Sequence, residues 1–341
     1  MTVIQGHDVP IAAFLSAMRG DRPHHGWLFA GPEGVGKASL ALLAARRLLA
    51  EAADPSLEPH GLALRNDHPT ASLLDAWSHP DFILIDRLPK DLKMAEKPRI
   101  EWAEDEERRR SIRVEQIRDL GRRLTTHPTF STRRMVVIDG AEAMETSAAN
   151  ALLKMLEEPP LGTIFILISH ATGRLLPTIR SRCRLLRFSG LDDAAMTSVL
   201  KDKLPKSNAE EIASLVATGN GSPGRAIGLA GLDLAGLAGT LDRLSSRGDP
   251  QNKERVALAA SMTAKSAQPR FEAMLALIPT YMAGKVRGRR GDDLAAGLAL
   301  WEKARDLSLH AIPGSLDPGS VTFTLAGLVA GLAPEAKRAK A

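Results

Sequence analysis

Short apolar runs recur along the first half of the chain, and each is bounded by polar residues or glycine. They lie at Trp27–Ala30, Phe82–Ile85, Met135–Ile138, Ile164–Ile168 and Leu185–Phe188. A continuous apolar run, rather than an alternating one, is typical of a strand in a parallel sheet covered on both faces. The stretches between these runs favour helices, as at Ser39–Glu51, Ser111–Leu124 and Ser147–Leu156. The pattern predicts a doubly wound parallel α/β sheet, with ligands at the carboxyl ends of its strands.

The rest of the chain has a helical pattern that glycine and proline divide into segments. Short helices are predicted at Leu191–Leu204 and Ala209–Thr218, and the turn that starts at Gly219 leads into another helix. We therefore predict three domains: an α/β domain at 1–188, a small helical domain at 189–231 and an all-helical domain at 232–341. The last carries no catalytic group of residues, and such blocks usually serve packing or assembly.

A glycine-rich loop, Gly31-Pro-Glu-Gly-Val-Gly-Lys37-Ala38, lies between the first predicted strand and the following helix. A strand, a loop and a helix N-terminus in this order form a known anion site, because backbone N–H groups surround the phosphates. Gly31, Gly34, Gly36 and Lys37 stand in place, whereas Ala38 replaces the hydroxyl that binds magnesium. A chance glycine-rich turn is the alternative, and the flanking elements argue against it. The sequence predicts a phosphate loop that lacks its metal ligand.

The third apolar run ends in Asp139, an acidic residue at a strand end. In nucleotide hydrolases such an aspartate holds magnesium and a following glutamate orients the attacking water. Gly140 follows here, and Glu142 is displaced by two residues, so we expect Glu142 not to reach the same place. A plain surface carboxylate is an equally good interpretation of Asp139. Together with Ala38, the missing glutamate predicts a chain that does not hydrolyse ATP by itself.

Two further polar positions follow the later strands. Ser169, at the end of the fourth run, lies where a side chain could sense a γ-phosphate, or it is simply a polar strand end. Arg182 precedes the fifth run. An arginine on the rim of such a domain can reach a neighbouring subunit's nucleotide and stabilise the transferred phosphate. An ordinary surface arginine beside Cys183 is the alternative.

Composition limits the function classes. The chain has 341 residues and a net charge of +5. Its apolar content of 44% is enough to form hydrophobic cores. Only 4% of the residues are aromatic, so surfaces that stack on nucleic-acid bases are not expected to dominate. Cys183 is the only cysteine, which excludes a disulfide within one chain and a cysteine-based zinc cluster. The histidines show no metal-ligand spacing, and we predict no metal site. No apolar run is long enough for a membrane span, and we expect a cytoplasmic protein. The densely charged segment 86–110 is interpreted as a solvated, partly mobile insertion.

Six motifs occur in the order typical of one protein family. They are Gly31–Lys37, Val136–Asp139, Asn150–Pro159, Phe165–His170, Ser181–Cys183 and Gly221–Arg225. In this order the chain resembles bacterial clamp-loader subunits of the AAA+ family. The resemblance is strong over residues 4 to 230, and beyond them it is limited to the helical character of the chain. His79-Pro80-Asp81 also matches the group. Relatives commonly carry a four-cysteine zinc module after the first helix, and residues 51–80 contain no cysteine, so no zinc is expected.

The resemblance implies a fold, partners and a role. The fold is an AAA+ domain followed by a helical lid and a C-terminal collar. The assembly is a five-subunit ring of the DNA polymerase III holoenzyme that loads a sliding clamp on primed DNA. The partners are gamma/tau-type motor subunits and the delta subunit. A non-hydrolysing, stationary member would donate Arg182 in trans as an arginine finger, and Arg225 matches the nucleotide-sensing arginine of the lid.

The implied nucleotide site is degenerate. By resemblance it comprises the following residues: Gly31, Gly34, Gly36, Lys37, Asp139, Ser169 and Arg225. We expect no tightly bound cofactor, although weak binding of ATP, ADP or phosphate stays open because the backbone N–H groups of the loop remain. Two other roles stay open as well: an active gamma/tau-type ATPase motor, and a pure scaffold that contacts no nucleotide.

Overall fold

The structure is a computed structural model that describes residues 4–20, 23–102 and 107–334. The described residues fall into two compact units. The first comprises residues up to Val199 together with Gly221–Gly224, and the second comprises Leu200–Asn220 and the residues from Arg225 onward. The predicted division into three domains, with boundaries after residues 188 and 231, stays a prediction.

The first unit contains a five-stranded parallel sheet with the strand order β2-β3-β4-β1-β5. Its strands are β1 (Gly26–Ala30), β2 (Phe82–Ile85), β3 (Arg134–Asp139), β4 (Thr163–Ser169) and β5 (Arg184–Arg187). Each overlaps one of the five predicted apolar runs, and the ends differ by one residue at most. The register pairs Gly26 with Phe165 and Trp27 with Arg184, so that β1 lies in the middle of three strands. The predicted parallel sheet is confirmed.

Helices precede, connect and follow the strands. In chain order they are α1 (Asp8–Met18), α2 (Lys37–Ala53), α3 (Pro69–Asp75), α4 (Leu92–Ala95), α5 (Val114–Arg123), α6 (Thr146–Glu157), α7 (Pro177–Arg182) and α8 (Asp193–Lys203). Short 3₁₀ turns lie at Arg99–Glu101, Ala141–Ala143 and Thr172–Arg174. The predicted helices around residues 39–51, 111–124 and 147–156 are confirmed as α2, α5 and α6.

Both faces of the sheet are buried, as the continuous apolar runs predicted. On one face Leu28 and Phe165 belong to a core that also contains Ile117 of α5, Leu152 of α6 and Ile179 of α7. On the other face the ring of Phe14 in α1 packs edge-on against Trp27, at 4.8 Å, and Phe29, at 5.4 Å. Successive residues of β1 thus point to opposite helical layers, which is the alternation expected of a strand. The unit is a doubly wound α/β domain.

Every secondary-structure element among the described residues of the second unit is a helix. Its helices are α9 (Ala209–Gly219), α10 (Pro223–Gly228, from Arg225), α11 (Leu234–Arg247), α12 (Lys253–Ser261), α13 (Gln268–Val286), α14 (Gly291–Ala311) and α15 (Pro318–Ala330). The apolar helix α15 contacts α11, α12, α13 and α14 and forms the centre of this bundle. Among all described residues, no helix combines the length and apolarity that a membrane crossing needs.

The charged segment 86–110 contains ion pairs that its interpretation as a solvated insertion did not include, and its residues 103–106 lie outside the described part. Asp86, directly after β2, pairs with Arg99 at 2.6 Å and with Arg108 at 3.8 Å. The Trp102 ring lies beneath both guanidinium groups, at 5.2 and 5.0 Å. Asp86, Arg99 and Arg108 are thus partly buried, whereas most other described charges of the segment are exposed to water. A sequence window does not show the pairing, because the partner, Asp86, is supplied by a strand end.

Two buried charges fix the loop that precedes β3. The Asp81 carboxylate is fully buried and accepts hydrogen bonds from the backbone N–H groups of Thr129, Phe130 and Ser131, at 2.6, 2.7 and 3.2 Å. The Arg134 guanidinium donates to the backbone carbonyls of Arg123, Thr126 and His127 at 2.9–3.1 Å. The motif His79-Pro80-Asp81 thus has a structural purpose, since Asp81 satisfies a turn that would otherwise hold unpaired N–H groups.

Candidate functional site

The phosphate loop lies at the carboxyl end of β1 and leads directly into α2. Gly31 has a φ of +155°, and a Cβ atom on it would lie 2.2 Å from the carbonyl oxygen of Phe188. Only glycine fits there, because both the backbone conformation and the close approach exclude a side chain. Gly36 has a φ of +104° and caps the N-terminus of α2. The loop therefore has the strand–turn–helix geometry that its sequence predicted.

Lys37 is buried and turned back onto the loop itself. Its Nζ atom donates hydrogen bonds to the carbonyl oxygens of Gly31, at 2.7 Å, and of Pro32, at 2.5 Å. Burial lowers the pKa of Lys37 below its ordinary value, although Asp139, Glu142 and Glu33 act in the opposite direction. The ammonium group thus has partners within the loop, and a bound phosphate would have to replace them.

Asp139 and Glu142 are two carboxylates whose charges act on Lys37. Burial raises the pKa of Asp139, and His170 is the largest opposing influence. Glu142 lies in the 3₁₀ turn that follows the left-handed Gly140, and its Oε1 atom accepts a hydrogen bond of 3.0 Å from the His170 backbone N–H. The charge of Glu142 opposes the lowering of the Lys37 pKa. The expectation that Glu142 does not take the place of a water-orienting glutamate stays a prediction.

Three contacts that the sequence did not predict support the loop. The His7 ring nitrogen Nε2 lies 2.9 Å from the Val35 carbonyl oxygen, and His7 is buried. The Ser222 hydroxyl donates to the Glu33 carbonyl at 2.7 Å. The Gly224 backbone N–H donates to the Gly34 carbonyl at 2.9 Å. No local signal marks His7. The motif Gly221–Arg225 did carry a signal, which was interpreted as a turn.

The other predicted site residues divide between the two units. Ser169, at the end of β4, is fully buried, and its hydroxyl accepts from the Ala171 N–H at 3.2 Å. Its carbonyl accepts from the Gly31 N–H at 3.3 Å, so Ser169 adjoins the loop. Arg225 is exposed on α10 and belongs to the second unit. The first unit therefore brings together six of the seven predicted residues: Gly31, Gly34, Gly36, Lys37, Asp139 and Ser169.

The residues present fit a phosphate better than a nucleotide with its magnesium ion. The loop supplies backbone N–H donors at a helix N-terminus and a buried cation, which are the parts that recognise phosphate. Ala38 presents a methyl group where a hydroxyl would bind the metal. Among the described residues, no group of three or more His, Cys, Asp or Glu side chains could hold a metal ion.

Arg182 ends α7 and does not face the loop of its own chain. Its Nη2 atom pairs with Glu157 Oε1 at 2.6 Å, and its Nη1 atom donates to the Thr178 carbonyl at 3.0 Å. About a third of the side chain, 35%, is exposed. In the described structure none of its hydrogen bonds or ion pairs involves Lys37 or Asp139. The polar contacts of Arg182 thus go to residues of α6 and α7.

A cavity of about 760 Å³ opens between the loop and the edge strand β5. Its cationic lining comes from Arg180 and Arg187, and Leu185 belongs to its apolar lining and is 43% exposed. No carboxylate contributes to the lining. This face of the first unit therefore favours anionic groups.

Cys183, next to Arg182, should resist thiol reagents in the folded protein. Burial raises the pKa of its thiol to about 12, so almost none is thiolate at neutral pH. We expect the native chain at pH 8 to react with a disulfide reagent at least about 100-fold more slowly than the unfolded chain. Colorimetric thiol titration with and without denaturant measures this, and the single cysteine makes the end point one thiol per chain. Equal rates in both states would contradict the buried placement.

Comparisons with known proteins agree with the resemblance seen in the sequence. The family model described as DNA polymerase III, delta subunit, matches residues 6–192. The delta-prime subunit of Pseudomonas aeruginosa is 37% identical over 62% of this chain and 57% of its own length. The delta-prime subunit of Escherichia coli is 27% identical over 63% of this chain and 57% of its own length. The chain thus matches somewhat more than half the length of these relatives.

Among solved structures, a DNA polymerase III gamma subunit-related protein from Thermotoga maritima aligns with a TM-score of 0.41 and 15% identity. The alignment covers 94% of this chain and 98% of the Thermotoga chain. Gamma and gamma/tau subunits also occur among the sequence relatives, at 30% identity. The relatives with the higher identities are named delta-prime subunits of DNA polymerase III. This confirms the resemblance to clamp-loader subunits that the sequence motifs predicted. The match to residues 6–192 covers more than half of the chain, which therefore belongs to the DNA polymerase III delta-subunit family.

Proposed function

We propose that the chain is a delta-prime-like, non-hydrolysing subunit of a clamp loader and that it donates Arg182 to ATP bound on a neighbouring motor subunit. The observation that carries the proposal is the contrast between two sites. The chain's own phosphate loop lacks its metal-binding hydroxyl, whereas Arg182 lies outside that loop on an exposed surface. A side chain in this position can serve another subunit's nucleotide but not its own.

The surroundings of Arg182 support an anionic partner. Arg180 of α7 and Arg187 of β5 line a cavity without carboxylates, to which Ser181, the residue before Arg182, also contributes. A nucleotide on an adjacent subunit carries several negative charges and would be attracted to such a face. The guanidinium fork can bind a phosphate group through two parallel hydrogen bonds, which suits it to stabilise charge on a transferred phosphate.

The partners and the substrate of the assembly belong to this proposal. We infer motor subunits of the gamma/tau type, since proteins with those names are 30% identical to 54% and 58% of this chain. We also propose the delta subunit, the sliding clamp and primed DNA as the further components, with the helices from residue 232 onward as the collar. The cytoplasmic location follows from a role in replication and stays a prediction.

The purified chain alone should show no magnesium-dependent ATP turnover above that of its Lys37→Ala variant. The physical reason is that Ala38 leaves the metal without its hydroxyl ligand and Lys37 is bound to loop carbonyls. A coupled-enzyme assay of turnover, together with fluorescent-nucleotide titration, measures both hydrolysis and weak binding. Turnover that the Lys37→Ala change abolishes would instead identify an active motor of the gamma/tau type.

The scaffold alternative predicts a different result in the assembled complex. A pure scaffold would assemble with motor subunits normally, and loss of the Arg182 side chain would leave their ATP turnover unchanged. Gel filtration and ATPase assays on the reconstituted complex therefore separate the three roles.

A further inference from the structure

We propose that Glu157 is the resting counter-ion of Arg182, a positioning residue that holds the guanidinium until a neighbouring subunit's phosphate takes the carboxylate's place. This inference rests on the proposed function of Arg182. It adds a second residue, from a different helix, and a sequence of events in which Arg182 exchanges one anion for another.

The geometry of the pair supports this exchange. Glu157 is the last residue of α6 and Arg182 is the last residue of α7, so two helix ends meet at this point. The contact of 2.6 Å lies between half-exposed side chains: 48% of Glu157 and 35% of Arg182 remain accessible. The Nη1 atom is held by the Thr178 carbonyl, so the Glu157 carboxylate is bound mainly through Nη2.

The two helix ends are held in register by the residues that precede β1. The His25 ring nitrogen Nε2 lies 2.9 Å from the carbonyl oxygen of Leu156, the residue before Glu157. A Cβ atom on Gly26 would lie only 3.0 Å from the Arg182 carbonyl oxygen, which shows how closely the start of β1 approaches the end of α7. The backbones at these two helix ends thus pack against the start of β1, and the exchange requires only the side chains of Glu157 and Arg182 to move.

The charges decide the direction of the effect. A carboxylate in contact with Arg182 neutralises the guanidinium and would repel a phosphate approaching the same group. An exposed ion pair is weak and shifts an equilibrium by no more than about fivefold, whereas a guanidinium–phosphate pair forms charge-assisted, bidentate hydrogen bonds. Arg182 can thus leave Glu157 readily when a phosphate arrives. Until then the pair reduces the fraction of Arg182 that is free to bind.

The test uses the complex reconstituted with the motor subunits of the same organism. Glu157→Gln keeps the shape of the side chain and removes its charge. We expect the KM for ATP to fall by about twofold to fivefold and kcat to stay within about twofold of the unmodified complex. The difference should shrink as salt concentration rises, because the pair is exposed. Glu158→Gln is the matched control, since Glu158 is an exposed neighbour without an ion pair in the described structure, and should leave both constants unchanged.

Two outcomes would overturn the inference: a Glu157→Gln complex that behaves like the Glu158→Gln complex, or one with a higher KM for ATP. A purely structural Glu157 would lower the melting temperature or the assembled fraction without lowering KM, so both are measured alongside. The double variant Arg182→Ala/Glu157→Gln should match Arg182→Ala alone. If Arg182→Ala itself leaves turnover intact, the proposed function fails, and that result is distinct from a failure of the role of Glu157.

Discussion

Replacing Arg182 with alanine should lower ATP turnover of the reconstituted clamp-loader complex by about 10³-fold or more at the site that this chain serves. Arginine fingers elsewhere contribute about 10³–10⁵ in rate, because they neutralise charge that develops on the transferred phosphate. The side chain lies at the surface, and its hydrogen bonds and ion pair go to Glu157, Thr178 and Ser181. Its removal should therefore leave the fold and the assembly nearly unchanged.

The experiment needs to separate one site from the others in the ring. Single-turnover measurements resolve the slow site as a missing fraction of the burst, whereas steady-state turnover reports only the sum. Arg174→Ala is a suitable control, because Arg174 is an exposed arginine on the 3₁₀ turn before α7. Arg182→Lys should recover only part of the rate, since an ammonium lacks the planar fork. An Arg182→Ala complex with the full burst would contradict the assignment.

Replacing Asp81 with alanine should destabilise the first unit by about 3 kcal/mol. The carboxylate is fully buried and accepts hydrogen bonds from three backbone N–H groups. Its loss leaves these donors without a partner, and each unsatisfied buried group costs about 1–3 kcal/mol, less where the loop can admit water. Urea denaturation followed by tryptophan fluorescence measures the change, because Trp77 packs against Phe82 one residue away from Asp81.

Asp81→Asn provides the matched control for that measurement. The amide keeps one acceptor oxygen, so we expect roughly half of the alanine effect, about 1–2 kcal/mol. Phe130→Ala tests the loop itself, since this ring is 59% exposed and its removal should change stability little. If Asp81→Ala and Phe130→Ala destabilise the protein equally, the buried carboxylate does not have the role assigned to it.

The sheet was predictable because its signal is local. Each strand is a continuous apolar run, since helices cover both faces, and such a run stands out in a single sequence. The geometry of the phosphate loop was predictable for a similar reason: Gly31, Gly36 and Lys37 are close in sequence, and both glycines have a positive φ. The strand order was not fixed by these signals, because it depends on which distant runs pair.

The parts that sequence reasoning missed depend on contacts between distant residues. His7 reaches Val35, and Ser222 reaches Glu33 across most of the first unit's sequence. Glu142 accepts a hydrogen bond from the His170 backbone N–H, 28 residues further along the chain. In the charged segment, Arg99 and Arg108 stack on Trp102 and pair with Asp86 directly after β2. In each case the residue type was ordinary, and only the fold determines its partner.

The strand order has a consequence for how the chain folds during synthesis. β1 is made first, yet its two neighbours are β4 and β5, which end at Ser169 and Arg187. A ribosome-bound chain that ends before Thr163 therefore holds β1, and the phosphate loop behind it, without either flanking strand. Such long-range parallel pairing folds slowly and leaves apolar strands exposed meanwhile. The nascent chain should need chaperone protection until about residue 187 has left the exit tunnel.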